Sequence, residues 1–424
     1  MRQFVRLAKK KKNAHTINSI LIIDDNPMLR VILFVFLSAF SAADSLGPFR
    51  GVNIGGWLVL ESWITPQLYQ DNNVTVSSPL LPGAPPSNGP GEWGFCAALG
   101  KERCSAVLQT HWDTWISRSE LQTLASSGIN WLRVPVGYWI VDIGAGEPFV
   151  DGGMFYLRRL LTWAEELGLS VLVDLHAAPG SQNGHDNSGR TGPIQWSTPA
   201  NIDRTVKDLV LIATQLSDLP AFKALELLNE PWTTFVGGSI QISTLMQFYQ
   251  TAYTAVRSSG FAGAIVMSDG FAPDDVWNGF MPPPQYTNVF LDVHLYRCFG
   301  GGPPSPWANV DAVCQQTAPR LGSLTQRDWT IVGEFSLCLT NATIAQTGSF
   351  NKFSAMFMQA QLTAFGAATA SGPVKGGFFW NFKIQDYNVT NWNSTRLMWD
   401  YLLNLSLDNF PTSSNQWSSI DGCP

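Results

Sequence analysis

The sequence predicts a single (β/α)8 barrel with long βα loops at its C-terminal face, and three observations predict it. Eight short apolar runs recur between residues 50 and 382. The runs are continuous rather than alternating, as parallel strands buried on both faces require. Segments of helical period separate them, and strand–helix alternation repeated eight times closes a barrel more readily than it extends an open sheet.

In chain order the strands are expected at 50–56 (RGVNIGG), 130–136 (NWLRVPV), 170–176 (SVLVDLH) and 224–230 (ALELLNE). The remaining four are 264–270 (AIVMSDG), 289–296 (VFLDVHLY), 329–335 (WTIVGEF) and 376–382 (GGFFWNF). Helical patterns are clearest at 112–127, 154–168, 200–217, 241–258, 351–370 and 394–404. The helices after the fifth and sixth strands are poorly marked, so the count rests on the strands. Two inserts rich in Pro and Gly, 77–96 and 301–307, read as irregular loops over one barrel end. Neither resembles an interdomain linker and no internal repeat is visible, so residues 44–424 form one catalytic domain.

Residues 1–43 read as an upstream extension and a leader. The apolar run 31–40 (VILFVFLSAF) follows Arg30 and precedes small residues at 41–43, which places cleavage near Ala43. At about ten residues it matches a signal-peptide h-region and is too short to span a bilayer. Met28 is the expected true start, and a retained membrane anchor is the rival reading. Without residues 1–43 the chain keeps 19 basic and 30 acidic residues, a formal charge of −11. An acidic surface excludes nucleic acid as the natural ligand and suits a neutral one. The 17 Trp and 25 Phe first mean core packing. A few of these flat rings would suit the apolar faces of sugars.

Six cysteines in an exported chain imply disulfides, since none forms the close pairs of a zinc site. Cys298 and Cys338 each lie four residues beyond a site candidate on adjacent strands, His294 and Glu334. Sequons at Asn73, Asn341, Asn388, Asn393 and Asn404 agree with export.

The chemistry concentrates at strand ends: Arg133, His176, Asn229–Glu230, Asp269, His294–Tyr296, Glu334 and Trp380. All eight ends converge on one barrel face, where active sites sit. Glu230 and Glu334, closing strands four and seven, should face each other across the mouth. Paired carboxylates there suit glycoside hydrolysis with retention, one attacking the anomeric carbon and the other exchanging a proton with the leaving oxygen and then water. Glu334 is expected to be the ionised nucleophile, helped by Arg133 and Tyr296. Glu230 is expected to be the protonated acid, raised by desolvation and its partner's charge. Asn229 would bond a hydroxyl beside the reacting carbon. Each residue has a bland alternative, a strand-end ion pair for Arg133 or satisfied core positions for His176, His294 and Trp380. No ligand spacing such as HExxH appears, so no metal or other cofactor is expected. No G-x-S-x-G elbow frames Ser181 or Ser188, which excludes a serine hydrolase.

On LLNEPW (227–232), IVGEFS (331–336), RGVNIGGWLVLESWITP (50–66) and DLHAAPGSQNGHDNSG (174–189), the chain resembles glycoside hydrolase family 5. The likeness is closest to its secreted exo-β-1,3-glucanases and runs from about Arg50 to Cys423. It implies catalysis by Glu230 and Glu334, with Arg133, His176, Asn229, His294, Tyr296 and Trp380 as the shared site. It also implies that Glu61 and Asp186 close the pocket on a terminal glucose, and that Trp63 and Phe299 face the sugar. It suggests a Cys314–Cys423 bridge, which would leave Cys298–Cys338 between adjacent loops and Cys96–Cys104 locally. His185 stands where that branch often has an aromatic residue, and the loop 190–196 also differs.

These readings converge on a secreted, monomeric, cofactor-free retaining hydrolase that releases glucose from non-reducing ends of β-1,3-glucan. The alternatives are β-1,6- or β-1,4-glucan hydrolysis, transglycosylation, and an inactive secreted glucan-binding protein.

Overall fold

The computed structural model describes residues 49–75, 90–299, 305–324, 330–340, 343, 346, 356–365 and 374–385. The expected leader with its apolar run, the helix at 394–404, four of the five sequons and Cys423 lie outside them. Among the described residues no helix is long and apolar enough to cross a membrane.

Eight parallel strands close a barrel in sequence order: β1 (Phe49–Asn53), β2 (Trp131–Gly137), β3 (Ser170–Ala177), β4 (Phe222–Glu226), β5 (Ala264–Ser268), β6 (Val289–Arg297), β7 (Thr330–Leu339) and β8 (Val374–Phe379). The β1–β8 ladder, with Gly51 opposite Phe378, completes the ring. All eight match the expected runs. The fourth differs at its end: pairing stops at Glu226, and Leu227 to Glu230 leave the sheet while staying mostly buried.

The helices are α1 (Pro66–Asp71), α2 (Gly91–Leu99), α3 (Lys101–Trp115), α4 (Arg118–Ser126), α5 (Gly153–Glu166), α6 (Pro199–Gln215), α7 (Ile242–Ser258), α8 (Pro306–Ala312) and α9 (Ala318–Ser323), and residues 356–365 are also helical. The segment expected as one helix over 112–127 is two. Ile116 is extended, and Ser117 caps α4 in a reciprocal box with Glu120. Both supposed loop inserts end in helix, since Gly91 to Cys96 lie in α2 and Pro306 opens α8 behind the cap of Ser305. Between β5 and β6 a short 3-10 turn, Asp274–Trp277, stands in place of the poorly marked fifth helix.

The barrel interior is layered by the period of two along each strand. At its base Phe49, Trp131, Leu172, Ala224, Ala264, Val266, Phe290, Ile331 and Phe378 form an apolar plug separate from the outer core. Two residues farther along their strands stand Arg133, Asp174, Glu226 and Asp292, all buried. Two more bring His176 and His294 to the upper layer. Gly333 makes room for the charged layer, because a Cβ there would lie 1.8 Å from Asp292 Oδ2. Its N–H donates to Asp292 Oδ1 at 2.5 Å.

Cys96–Cys104 and Cys298–Cys338 are bonded as expected, the second linking the ends of β6 and β7 with Cα atoms 5.3 Å apart. Cys314 is also disulfide-bonded. Its expected partner, Cys423, lies outside the described residues.

Candidate active site

A cavity of about 370 Å³ opens at the C-terminal ends of the strands. It lies near the lower end of ordinary small-molecule pockets, about 300–1,000 Å³. Of the residues expected to meet substrate, Glu61, Trp63, His176, Asp186, Glu230, Tyr296, Phe299, Glu334 and Trp380 line it. Arg133, Asn229 and His294 do not. They are buried against the lining, Arg133 on Glu334 and His294 on Glu230, with Asn229 on Arg133.

Glu230 and Glu334 do face each other, and His294 stands between them. Its Nδ1 is 2.7 Å from Glu230 Oε1 and 3.6 Å from Glu334 Oε2. One oxygen of each carboxylate and that imidazole nitrogen fall within 4.8 Å of one another. Three such ligand atoms are close enough to contact one ion, a proximity that spacing along the chain cannot reveal. Both oxygens of Glu334 are held: Arg133 Nη1 donates to Oε1 at 2.9 Å and Tyr296 Oη to Oε2 at 2.5 Å. Glu230 Oε2 accepts from Asn187 Nδ2 at 3.2 Å. The backbone of Glu230 has φ +40°, a left-handed conformation unusual for a side chain-bearing residue. Such strain persists only where surrounding contacts enforce it. Here Asn229 N–H is held by Leu175 O at 3.0 Å and Trp232 N–H by Gln182 O at 3.0 Å.

Arg133 organises the floor. Its guanidinium reaches Glu226 Oε2 at 2.8 Å, Asp174 Oδ2 at 3.1 Å, Asn53 Oδ1 at 3.0 Å and Asn229 Oδ1 at 2.8 Å, besides Glu334. Asn229 Nδ2 is left as a buried donor without a protein partner. His176 Nδ1 pairs with Asp174 Oδ2 at 2.6 Å, and its ring stacks on Trp380 with centroids 5.6 Å apart. Trp63 Nε1 donates to Glu61 Oε2 at 3.0 Å. Burial and the negative charge of Asp186 and Glu334 hold Glu61 well above the usual carboxylate range, and burial raises Asp186 to about 7. Asp269, another strand-end candidate, turns away from the cavity to accept from Phe271 N–H at 2.8 Å.

The electrostatics of the site reverse the expected order. Burial pushes the Glu230 carboxyl up, but the hydrogen bond and charge of His294 outweigh it and hold Glu230 at about 2. Burial of Glu334 outweighs His294 and Arg133 and leaves it raised. Burial opposes a proton on His294, yet Glu334, Asp292 and Glu230 together lift it well above its ordinary value. The surroundings thus favour a proton on His294 over one on Glu230.

This gives a pH prediction. Glu230 is depressed below its ordinary 4.5, so its contribution to stability is present above that value and lost as pH falls toward 2. His294 is raised above 6.5, so its contribution is full below that value and lost as pH climbs through the folded value. The pair thus contributes in full between 4.5 and 6.5. The melting-temperature gap between wild type and His294→Asn should be widest in that window and shrink on both sides. A gap independent of pH would refute the ion pair.

His185, singled out in the sequence, does line the cavity, whereas sequence reasoning missed Asn187, Trp232, Val236 and Phe271 in the wall, and Asp174, Glu226 and Asp292 beneath it. The buried acids did leave a signal in the D-x-H pattern at 174–176 and again at 292–294. The loop residues left none.

Two carboxylates this close, one held by a cation and a phenol and the other on an imidazole, can run a double displacement at an acetal carbon.

A profile described as cellulase, glycosyl hydrolase family 5, matches residues 97–369. A probable glucan 1,3-beta-glucosidase A of Aspergillus niger is 40% identical over 253 residues, 60% of this chain and 56% of that relative. A glucan 1,3-beta-glucosidase of Blumeria graminis is 37% identical over 68% of this chain and 64% of its own length. A probable glucan 1,3-beta-glucosidase A of Emericella nidulans is 36% identical over 74% and 72%. The chain thus spans less than two thirds of the first two relatives. Among solved structures, a rutinosidase from Aspergillus niger superposes with a TM-score of 0.70 at 20% identity, covering 84% of this chain and 98% of that one. That likeness speaks to the fold alone.

Proposed function

The chain belongs to glycosyl hydrolase family 5, and on that premise we propose that it is a retaining, exo-acting β-1,3-glucan hydrolase releasing glucose from non-reducing ends. Glu334 is the nucleophile and Glu230 the general acid/base. The observation that carries this reading is that Glu230 and Glu334 meet at the cavity, one oxygen of each lying within 4.8 Å of the other. That approach accords with the close carboxyl pair of retaining enzymes, about 5–5.5 Å apart.

Arg133 and Tyr296 fix both Glu334 oxygens, so the attacking lone pair is aimed before the sugar arrives. Attack forms a glycosyl ester while the glycosidic oxygen leaves with a proton from Glu230. That proton reaches Glu230 from His294 along the 2.7 Å contact, and water then reverses the sequence. The spare Nδ2 of Asn229 is the donor for a hydroxyl beside the reacting carbon. Glu61, Trp63 and Asp186 close the far end, so that a chain end fits and an internal segment does not. A cavity of about 370 Å³ accords with that.

The β-1,3 linkage rests on the names of the relatives. Disulfides agree with an exported protein, with the leader at residues 1–43 removed near Ala43 and the enzyme acting as a monomer.

The test is product analysis on linear β-1,3-, β-1,6- and β-1,4-glucans, with proton NMR of the first anomer formed. Glucose alone from the β-1,3 polymer, released first as the β-anomer, is the expected result. An early ladder of oligosaccharides would exclude exo action, and α-glucose first would exclude retention. A dominant β-1,6 or β-1,4 activity would move the linkage. Binding without turnover would favour a decayed scaffold.

A further inference from the structure

Glu92, in the first turn of α2, is fully enclosed and does not line the cavity, and its Oε2 accepts from Leu60 N–H at 3.1 Å. Leu60 immediately precedes Glu61 and lies outside any strand or helix. The chain is held on its other side as well, because Glu61 O accepts from Ile64 N–H at 3.0 Å and Thr65 N–H at 3.1 Å. The main chain of Glu61 is thus gripped from both directions, and the upstream grip is a side chain borne by another element. Burial raises Glu92 to about 8 against the hydrogen bonds of Leu60 and Trp139, which makes it a neutral acceptor at acid and neutral pH.

The same helix grips the second acid of the pocket. Trp93 N–H donates to Gly189 O at 2.8 Å, and Gly189 N–H donates to Asp186 O at 2.8 Å, closing the turn that Asp186 opens. Gly91 passes so near that a Cβ would lie 2.7 Å from Gly189 O, and its φ of +56° suits glycine. Arg190, the next residue of that loop, lays its guanidinium over the Trp93 ring at 4.4 Å. Farther along, α2 is tied to α3 by Cys96–Cys104, and Phe95 packs on Tyr69 with ring centroids 4.8 Å apart.

Three consecutive residues, Gly91, Glu92 and Trp93, therefore touch both loops that carry Glu61 and Asp186. Each of those carboxylates lines the cavity and keeps one buried oxygen without a protein partner, Glu61 Oε1 and Asp186 Oδ2. Such acceptors select a hydroxyl only when their supporting contacts hold them at the right spacing.

Resting on the reading that Glu61 and Asp186 take the terminal glucose, we propose that Glu92 is a positioning residue for substrate specificity. Through Leu60 it sets Glu61 against Asp186, and α2 is the brace that fixes their spacing. Selection of a complete glucose then depends on a side chain that never touches it.

The experiment compares 4-nitrophenyl β-glucoside with its 4-deoxy and 6-deoxy analogues on wild type, Glu92→Gln, Glu92→Met and Gly91→Ala. Gln keeps an oxygen for Leu60 N–H, whereas Met keeps the volume and drops the acceptor. Wild type should prefer the parent over at least one analogue by about a hundredfold in kcat/KM, as a site built to bond a hydroxyl does. Glu92→Met should cut that preference by about tenfold or more, the scale of one hydrogen bond to a charged group. The loss should fall on KM for the parent and leave the analogues nearly unchanged. Glu92→Gln should keep the preference. Gly91→Ala, which presses on Gly189, should lower it and keeps the test open if the Met variant does not fold. An undiminished preference in the folded variants, or a Gln variant as poor as Met, would overturn the proposal. So would an equal loss on parent and analogues, which would make Glu92 a structural residue. Wild type indifferent to both deletions would overturn it too, by showing that neither hydroxyl is held. If wild type hydrolyses none of the three, the glucosidase reading itself falls and this inference with it.

Discussion

Replacing Glu334 with Ala is expected to lower kcat/KM on β-1,3-glucan by at least about 10⁴-fold, the scale seen when one member of a catalytic unit is removed. The fold should survive, because the side chain sits at the rim of the charged layer, with 6% of its surface exposed. The removed carboxylate leaves an opening on the face opposite the scissile bond. Azide should enter it and, with an activated β-glucoside as donor, yield the α-glucosyl azide. Glu230→Ala should behave as its mirror: the first step on activated donors is spared, and azide gives the β-product in the second step. The stereochemistry of the trapped azide therefore assigns each role without relying on rates. Products of opposite configuration would exchange the two assignments, and no rescue in either variant would remove both.

The second large effect is expected at Arg133. Its guanidinium is fully buried and is the counter-charge for Asp174, Glu226 and Glu334, with Asp292 Oδ2 at 3.9 Å. Breaking a buried ion pair by removing one partner costs about 3–5 kcal/mol, because the other charge stays buried and uncompensated. That is a large share of the about 5–15 kcal/mol that holds a typical domain together. Arg133→Met should therefore lower the urea midpoint sharply as well as abolish turnover. Arg133→Lys should recover part of the stability and little of the activity. A lysine supplies the charge but not the planar fork that reaches Glu226, Asn229, Asn53 and Glu334 together. A Met variant as stable as wild type would mean that the acids beneath the site are neutral.

The sequence made the barrel legible because strands buried on both faces must be apolar throughout, and eight such runs leave little choice of architecture. It marked strand ends less well. Leu227 and Leu228 prolong the apolar run of β4 although pairing has ended at Glu226, since burial continues where the ladder does not. The break between α3 and α4 was written in Ser117-Arg118-Ser119-Glu120, a capping signature hidden by the apolar period on either side.

Strand-borne site residues were legible for the same reason that the strands were. Their orientation follows from alternation, and barrel closure brings them to one mouth. The wall of Trp232, Val236 and Phe271 was not, because loops carry no period and their meeting depends on contacts such as that of Thr233 with Gly270. Protonation was the least legible of all. Arg133 and Tyr296 were expected to favour the charged Glu334, and both do bind it, yet burial outweighs them. That balance of desolvation against charge exists only in three dimensions.

The apolar plug and the charged layer above it seal the recess from below. For an enzyme working as proposed, a freed monosaccharide can leave only by the mouth through which the polymer entered. The shortened strand must retreat before the product escapes, so the protein cannot ratchet along its substrate. Each cut begins with a fresh encounter, and turnover should scale with the number of free termini rather than with the mass of polysaccharide supplied.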